Sequence, residues 1–169
     1  LIKKMINKDF KRRRDFLLSK IEDNSIVFLF SGLEKSRNND VNYKFRQSSN
    51  FYYLTGINNP SMLLIITKIS SRHSTTLVCD RPNDIDKIWH GQLPSKSSYK
   101  KEFEIQNVLY FDELNSLELN DVKNMYFEFG DESRLNQFIE NLSLSQPQSR
   151  YLRNNTSRST KIDLSNLIF

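Results

Sequence analysis

Metal or nucleophilic chemistry needs a few side chains of the right type held close together, and this sequence supplies few of them. Its two histidines, His73 and His90, have no carboxylate or cysteine at a spacing that would build a metal cage, so both read as surface residues. The single cysteine, Cys79, closes the apolar run Thr76-Leu77-Val78-Cys79 and reads as a buried strand residue, not a nucleophile. Serines and acids are numerous enough to leave a Ser–His–acid triad open, but no G-x-S-x-G turn occurs. Gly32, Gly56, Gly91 and Gly130 are scattered singly, so no phosphate-cradling loop can be drawn. The residues give no self-contained active site.

Two features could instead meet a partner. Lys8, Lys11, Arg12, Arg13 and Arg14 form the densest basic cluster, a pattern that could bind nucleic acid or another polyanion with a steep salt dependence. The competing reading is a solvated helix face whose cations are oriented by Asp9 and Asp15. It is favoured, because no nucleic-acid motif accompanies the cluster. Trp89 is the only tryptophan, in Lys87-Ile88-Trp89-His90-Gly91. Its large apolar area suits a core position, while the adjoining glycine turn would let it project from a loop into a cleft.

The elements that must position these residues follow from hydrophobic spacing. Phe10, Leu17, Leu18 and Ile21 share one face of a first helix, which Asn7 can cap. Ser25–Phe30 is a continuous apolar run of strand length, as in a strand buried on both faces. From Ser31 to Gln47 the chain is polar, and Gly32, Asn38, Asn39 and Asp40 argue against regular structure there. Ser48 to Gly56 is bracketed as a short helix with a serine N-cap and a left-handed glycine C-cap. Met62–Ile69 and Thr75–Asp80 read as a hairpin joined through polar residues 70–74. Beyond a turn or short helix at Asp84–Trp89, helices are expected at Ser97–Phe103, Asp112–Leu119 and Arg134–Leu142. Strands are expected at Val108–Phe111 and Met125–Phe129. Ser143 to Lys161 reads as a polar linker, and the apolar tail that closes the chain looks cut, as if a longer protein continued.

Composition bounds the class. With 169 residues, 37% of them hydrophobic and 27% charged, the chain has room for one domain with a real core. No apolar run approaches the ~20 residues of a membrane span. The net charge of +5 is modest, and the absence of alanine reads as a mark of genome composition. One unpaired cysteine and no signal-peptide pattern point to the cytoplasm. Met5 could be the natural start.

One stretch is more specific. Tyr43-Lys44-Phe45-Arg46-Gln47-Ser48-Ser49-Asn50-Phe51-Tyr52-Tyr53-Leu54-Thr55-Gly56, with Pro60 after it, resembles the signature of the N-terminal domain of bacterial Xaa-Pro aminopeptidases, relatives of prolidase and creatinase. The Arg12-Arg13-Arg14 triplet, Arg37, Trp89-x-Gly91 and Ile162-Asp163 follow the family's order, so the resemblance covers nearly the whole chain. It implies an α/β fold of ribonuclease-H-like type, a mixed sheet flanked by helices on both sides. Residues 5–160 would form that domain, and 161–169 would begin a linker to a C-terminal pita-bread catalytic domain. That second domain would hold two divalent ions, typically manganese, and cleave the bond before a proline in position two of a peptide.

The resemblance further implies a non-catalytic domain with no metal of its own, serving oligomer assembly and the substrate entrance. Its partners would be its own catalytic domain, further copies of itself and proline-containing peptides, with neither membrane nor nucleic acid. Trp89 is the position that would reach toward a neighbouring protomer's active site. The residues after Gly91, namely Gln92-Leu93-Pro94-Ser95, depart from the basic residue and second glycine of many relatives. Arg46, Gln47, Ser49, Phe51, Tyr53, Leu54, Thr55, Gly56 and Gly91 are expected to be structural. Arg46 and Gln47 would brace the long loop, while Phe51, Tyr53 and Leu54 would pin the short helix to the sheet. A prolidase- or creatinase-like parent is the variant of this reading, and a basic polyanion-binding module its rival.

Overall fold

A strand whose residues Ser25 to Leu29 are all buried must be covered on both faces, and the fold is organised around that requirement. The computed structural model describes residues 2–34, 36–38, 41–82, 94–116, 122–145, 159–164 and 167. In chain order the elements are α1 (Ile2–Lys20), β1 (Ser25–Phe30), β2 (Ser36–Asn38), β3 (Val41–Asn42), α2 (Ser49–Thr55), β4 (Leu63–Ile69) and β5 (Arg72–Cys79). After them come α3 (Lys96–Phe103), β6 (Asn107–Tyr110), a 3-10 helix (Phe111–Ser116), β7 (Asn124–Phe127), α4 (Glu132–Ser145) and β8 (Thr160–Asp163). Among the described residues, no helix is long and apolar enough to cross a membrane.

Six strands form one mixed sheet in the order β6-β5-β4-β1-β7-β8. β1 runs antiparallel to β4, with Phe30 opposite Leu63, and parallel to β7, with Ser25 opposite Asn124. The two-residue period of a strand divides its apolar residues between two cores. Val27, Leu29, Leu64, Ile66 and Leu77 pack with α1, α2 and Tyr99 of α3. Ile26, Phe28, Leu63, Ile65, Met125 and Phe127 pack with Leu114 of the 3-10 helix and with Leu135, Phe138 and Ile139 of α4. This is the mixed sheet flanked on both sides that the sequence predicts.

Several boundaries differ from expectation. The first helix begins at Ile2, so Asn7 lies inside it and does not cap it; the Ile, Lys and Met residues before it are adequate helix formers. At its other end, Lys68 of β4 donates to the carbonyls of Leu18 and Ile21 at 3.0 and 2.8 Å. The polar stretch 31–47 is not wholly irregular: β2 and β3 pair as a small separate antiparallel ribbon. The β4–β5 hairpin turns on Ser70-Ser71 alone, both with positive φ (49° and 63°), so Arg72, His73 and Ser74 belong to the strand. The amides of Ser70 and Ser71 are held by the side chains of Asn24 and Asp23.

The polar stretch read as a linker is ordered at both ends, since α4 runs to Ser145 and Thr160–Asp163 form β8 beside β7. Leu164 of the tail is fully buried in the α1 core. The expected element at Asp84–Trp89, with Trp89, His90 and Gly91, lies outside the described residues, as does 117–119 of the predicted Asp112–Leu119 helix.

Candidate functional site

The signature run folds into α2 through its own end residues. Ser48 is the N-cap, its Oγ accepting from the Phe51 amide at 3.3 Å. Gly56 ends the helix at φ 72°, donating its N–H to the Tyr52 carbonyl at 2.7 Å. Buried Thr55 donates to the Phe51 carbonyl at 2.7 Å and accepts from the Ile57 amide at 3.1 Å. Phe51 and Leu54 enter the core beneath α1, whereas Tyr53 does not face the sheet. It is 38% exposed and lies under the Arg13 guanidinium, 4.3 Å from its ring centroid. The helical period explains this correction: i and i+3 share the buried face, and i+2 falls off it. Gly56 also abuts α1, because a Cβ built there would stand 2.3 Å from Cε2 of Phe10.

The loop before α2 is fastened from beneath. Ser31 exchanges bonds with Met62, N–H to carbonyl and Met62 N–H to Ser31 Oγ, both at 2.9 Å, and its carbonyl accepts from the Ser48 amide at 2.8 Å. Glu128, just past β7, accepts from Ser48 Oγ at 3.0 Å and from Asn50 Nδ2 at 2.6 Å. Arg46 and Ser49 are exposed and Gln47 half-buried. Among the described residues, Ser31, Ser48 and Asn50 take part in hydrogen bonds that hold the loop, and the Gly32 carbonyl accepts from the Ser61 amide at 2.9 Å. Arg37 is exposed on β2, its guanidinium 5.9 Å from the Tyr43 ring.

The basic cluster is largely consumed by the fold. Arg14 is only 2% exposed. Its guanidinium donates to the Leu54 carbonyl at 2.8 Å and to the Phe103 and Glu104 carbonyls at 2.9 Å each. Those are the C-terminal carbonyls of α2 and α3, which a helix leaves without partners and where a cation also suits the helix dipole. Burial lowers the pKa of Arg14. Arg13 donates to the Tyr53 carbonyl at 3.0 Å and stacks on Phe10 and Tyr53. Lys11 pairs with Asp15 at 2.6 Å and Arg12 with Asp9 at 3.3 Å. An acidic polymer would have to compete with these contacts.

A hollow of about 340 Å³ opens near the C-terminal end of β5, lined by Cys79, Asp80, Lys96, Tyr99, Tyr110 and Met62 among others. The Cys79 thiol is pushed up to about 11 by burial and by Asp80, and burial raises the Tyr99 hydroxyl as well. Both groups are therefore neutral at pH 7, which suits a structural thiol better than a nucleophile. Among the described residues, no three His, Cys, Asp or Glu side chains gather as a metal cage. His73 is exposed on β5, while Trp89 and Gly91 lie outside the described residues.

Sequence reasoning named Arg14 but missed its buried role at the helix ends, and it missed Glu128 and the cations around Tyr110. Only Arg14 left a signal, since it falls on the α1 face of Phe10, Leu17, Leu18 and Ile21.

The comparisons with known proteins agree with this picture. Residues 10–125 match the family model "Aminopeptidase P, N-terminal domain". The chain is 28% identical over 159 residues to the Xaa-Pro aminopeptidase of Escherichia coli, covering 92% of this chain and 36% of that protein. It is 38% identical over 90 residues to the Xaa-Pro aminopeptidase of Haemophilus influenzae, covering 53% of this chain and 21% of that one. The solved structure of E. coli aminopeptidase P with the inhibitor Pro-Leu superposes with a TM-score of 0.80 at 25% identity, over 96% of this chain and 37% of that chain. The chain thus spans about a third of the E. coli relative's length.

Proposed function

Since the chain belongs to the aminopeptidase P N-terminal domain family, we propose that it is the non-catalytic N-terminal domain of a metal-dependent Xaa-Pro aminopeptidase, serving oligomer assembly and the shaping of the substrate entrance. The observation that carries this reading is coverage: 96% of the chain aligns on 37% of the E. coli enzyme structure. The remainder of such an enzyme is where catalysis would reside. Two divalent ions, manganese by preference, would be held there and would supply an activated water. This domain contributes shape.

The signature run supports a scaffolding role, because Ser48, Phe51, Leu54, Thr55 and Gly56 are committed to caps and core within the domain. Arg46, Gln47 and Ser49 lie at the start of that run, and we assign them to the loop and not to substrate. Trp89 is assigned to the substrate entrance, reaching toward a neighbouring protomer in a dimer or tetramer, and Gly91 is kept as a structural residue of the same motif. The cytoplasm is the compartment that suits a lone buried thiol.

The test compares the complete gene product with the 169-residue chain on an Arg-Pro-Pro peptide in the presence of manganese. The complete protein should release the N-terminal arginine and the chain alone should not. Robust metal-dependent cleavage by the chain would overturn the reading. Cleavage of Xaa-Pro dipeptides but not of longer peptides by the complete protein would make the parent prolidase-like. In the complete protein, Trp89→Ala should weaken hydrolysis at unchanged metal content, and unchanged kinetics would remove Trp89 from the entrance.

A further inference from the structure

The scaffold role makes no use of the hollow beside the end of β5. Its volume of about 340 Å³ falls at the small end of the range for ligand pockets, about 300–1,000 Å³. Strand directions explain why it forms there. β5 ends where β4 begins, because the two are antiparallel, and β6 ends beside them, parallel to β5. The chain around these strand ends leaves a concave space with apolar lining from Pro60, Met62, Pro82 and the Tyr110 ring. Two further residues on its wall stand out. The Tyr99 hydroxyl is buried without a hydrogen-bond partner among the described residues. Ser61 holds a φ of 55°, a left-handed conformation uncommon for serine, and backbone strain of this kind gathers at ligand sites.

The charges around the hollow select the ligand. Glu34 and Asp80 place two carboxylates there, against the ammonium of Lys96. Lys96 already donates to Glu113 and lies 4.0 Å from the Tyr110 ring centroid. The Cys79 thiol, on the same wall, senses the balance. Burial raises its pKa most; among the charges Asp80 raises it more than Lys96 lowers it, and Glu113 raises it again. The field on that wall is therefore negative. A carboxylate has lone pairs enough to accept from a ligand beside its own partners. We propose that the hollow binds a small organic cation, an amidinium or protonated amine carried on an apolar body. The cationic head meets Asp80 and Glu34, and a donor there is also what the Tyr99 oxygen lacks. The apolar body lies against Met62, the prolines and the Tyr110 ring.

Three probes of one shape and different charge test this: benzamidine is a cation, benzamide is neutral and benzoate is an anion. Amide NMR spectra of the 169-residue chain are recorded as each is added. Benzamidine should shift the Met62, Asp80, Lys96 and Tyr110 amides saturably, at concentrations where the other two do not. Cys79 is the sole cysteine, so its alkylation by iodoacetamide, followed by mass spectrometry, reports on the same wall without a label. Benzamidine at twice its dissociation constant should slow that reaction about threefold. Asp80→Asn should weaken benzamidine binding roughly tenfold or more, the loss expected when a charged hydrogen bond becomes neutral. Asp9→Asn, at an exposed acid on α1, should leave binding unchanged.

Benzamide or benzoate binding as tightly as benzamidine would overturn the cationic assignment. Shifts confined to residues away from the hollow, or none with any probe, would overturn the site itself. The wild-type spectra decide this without any variant, should Asp80→Asn fail to fold. A folded Asp80→Asn chain that binds benzamidine as the wild type does would overturn the charge argument. None of these readouts depends on peptidase activity, so the site and the scaffold role stand or fall separately.

Discussion

Replacing Gly56 by alanine imposes two separate costs at one atom. The residue sits at φ 72°, in the left-handed region, where a Cβ meets its own backbone at a cost of roughly 1–2 kcal/mol. The new methyl would also stand 2.3, 2.5 and 2.8 Å from three ring atoms of Phe10. That ring is 6% exposed and packs edge-on against Tyr52, so it cannot swing freely into solvent. Overpacking of this kind costs about 1–3 kcal/mol. The expected loss is therefore about 2–5 kcal/mol, or roughly 4–20 °C in Tm for a domain of this size. Urea unfolding of the chain, followed by far-UV circular dichroism, measures it. Two further variants separate the causes. Gly56→Asn tolerates the left-handed backbone but keeps the Cβ, so it should retain most of the steric part. Phe10→Leu shortens the obstructing ring, so Gly56→Ala should cost less in that background than in the wild type. A Gly56→Ala chain within about 0.5 kcal/mol of wild type would refute the argument, and strict additivity with Phe10→Leu would refute its steric half.

Arg14→Met should destabilise the chain by about 3–5 kcal/mol, because three carbonyls at the ends of α2 and α3 lose their donor together. Arg14→Lys should recover only part of this, since one ammonium cannot reproduce the planar fork, and a wild-type urea midpoint for Arg14→Met would refute the assignment. Cys79 sets an alkaline limit. Its folded pKa of about 11 lies above the thiol's ordinary value of 9.0, so between the two the native state keeps a proton that the unfolded chain has lost. Stability should then be undiminished below about pH 9 and fall between about pH 9 and pH 11. The difference in urea midpoint between wild type and Cys79→Ala across that window checks the sign, and a difference that does not vary with pH would refute it.

What could be read from the sequence was local. Ser48 and Gly56 cap α2 by residue type, and both bracket it as expected. The apolar run of β1 announced a strand covered on both faces, since no amphipathic alternation interrupts Ser25 to Leu29. Contacts made at long range left weaker marks. Ser70-Ser71 lacks the usual Asn-Gly signature of a tight hairpin, so the turn looked longer than it is. Thr160–Asp163 is too short and too polar to be read as a strand without β7 beside it. Tyr53 was misplaced because an aromatic residue next to Leu54 invites burial, whereas helical geometry gives that face to Phe51 and Leu54. Glu128 cannot be connected to Ser48 and Asn50 by any pattern, because the pairing is made by the sheet.

These contacts explain why a family-defining run can be structural throughout its described part. α2 is fixed at its start by Glu128 behind β7, along its flank by Arg13 on Tyr53, and at its end by Arg14 on Leu54. The same Arg14 guanidinium closes the far end of α3, whose first residue is Lys96. Lys96 in turn joins Glu113 and Tyr110, together with Arg81. A contiguous set of packed helices and charged hydrogen bonds therefore connects the signature helix to both ends of the segment that carries Trp89. In this arrangement Arg14 fastens the C-terminal ends of α2 and α3 to each other. The densest positive cluster of the sequence belongs to the same device: two of its arginines join helix ends and rings in place of phosphates.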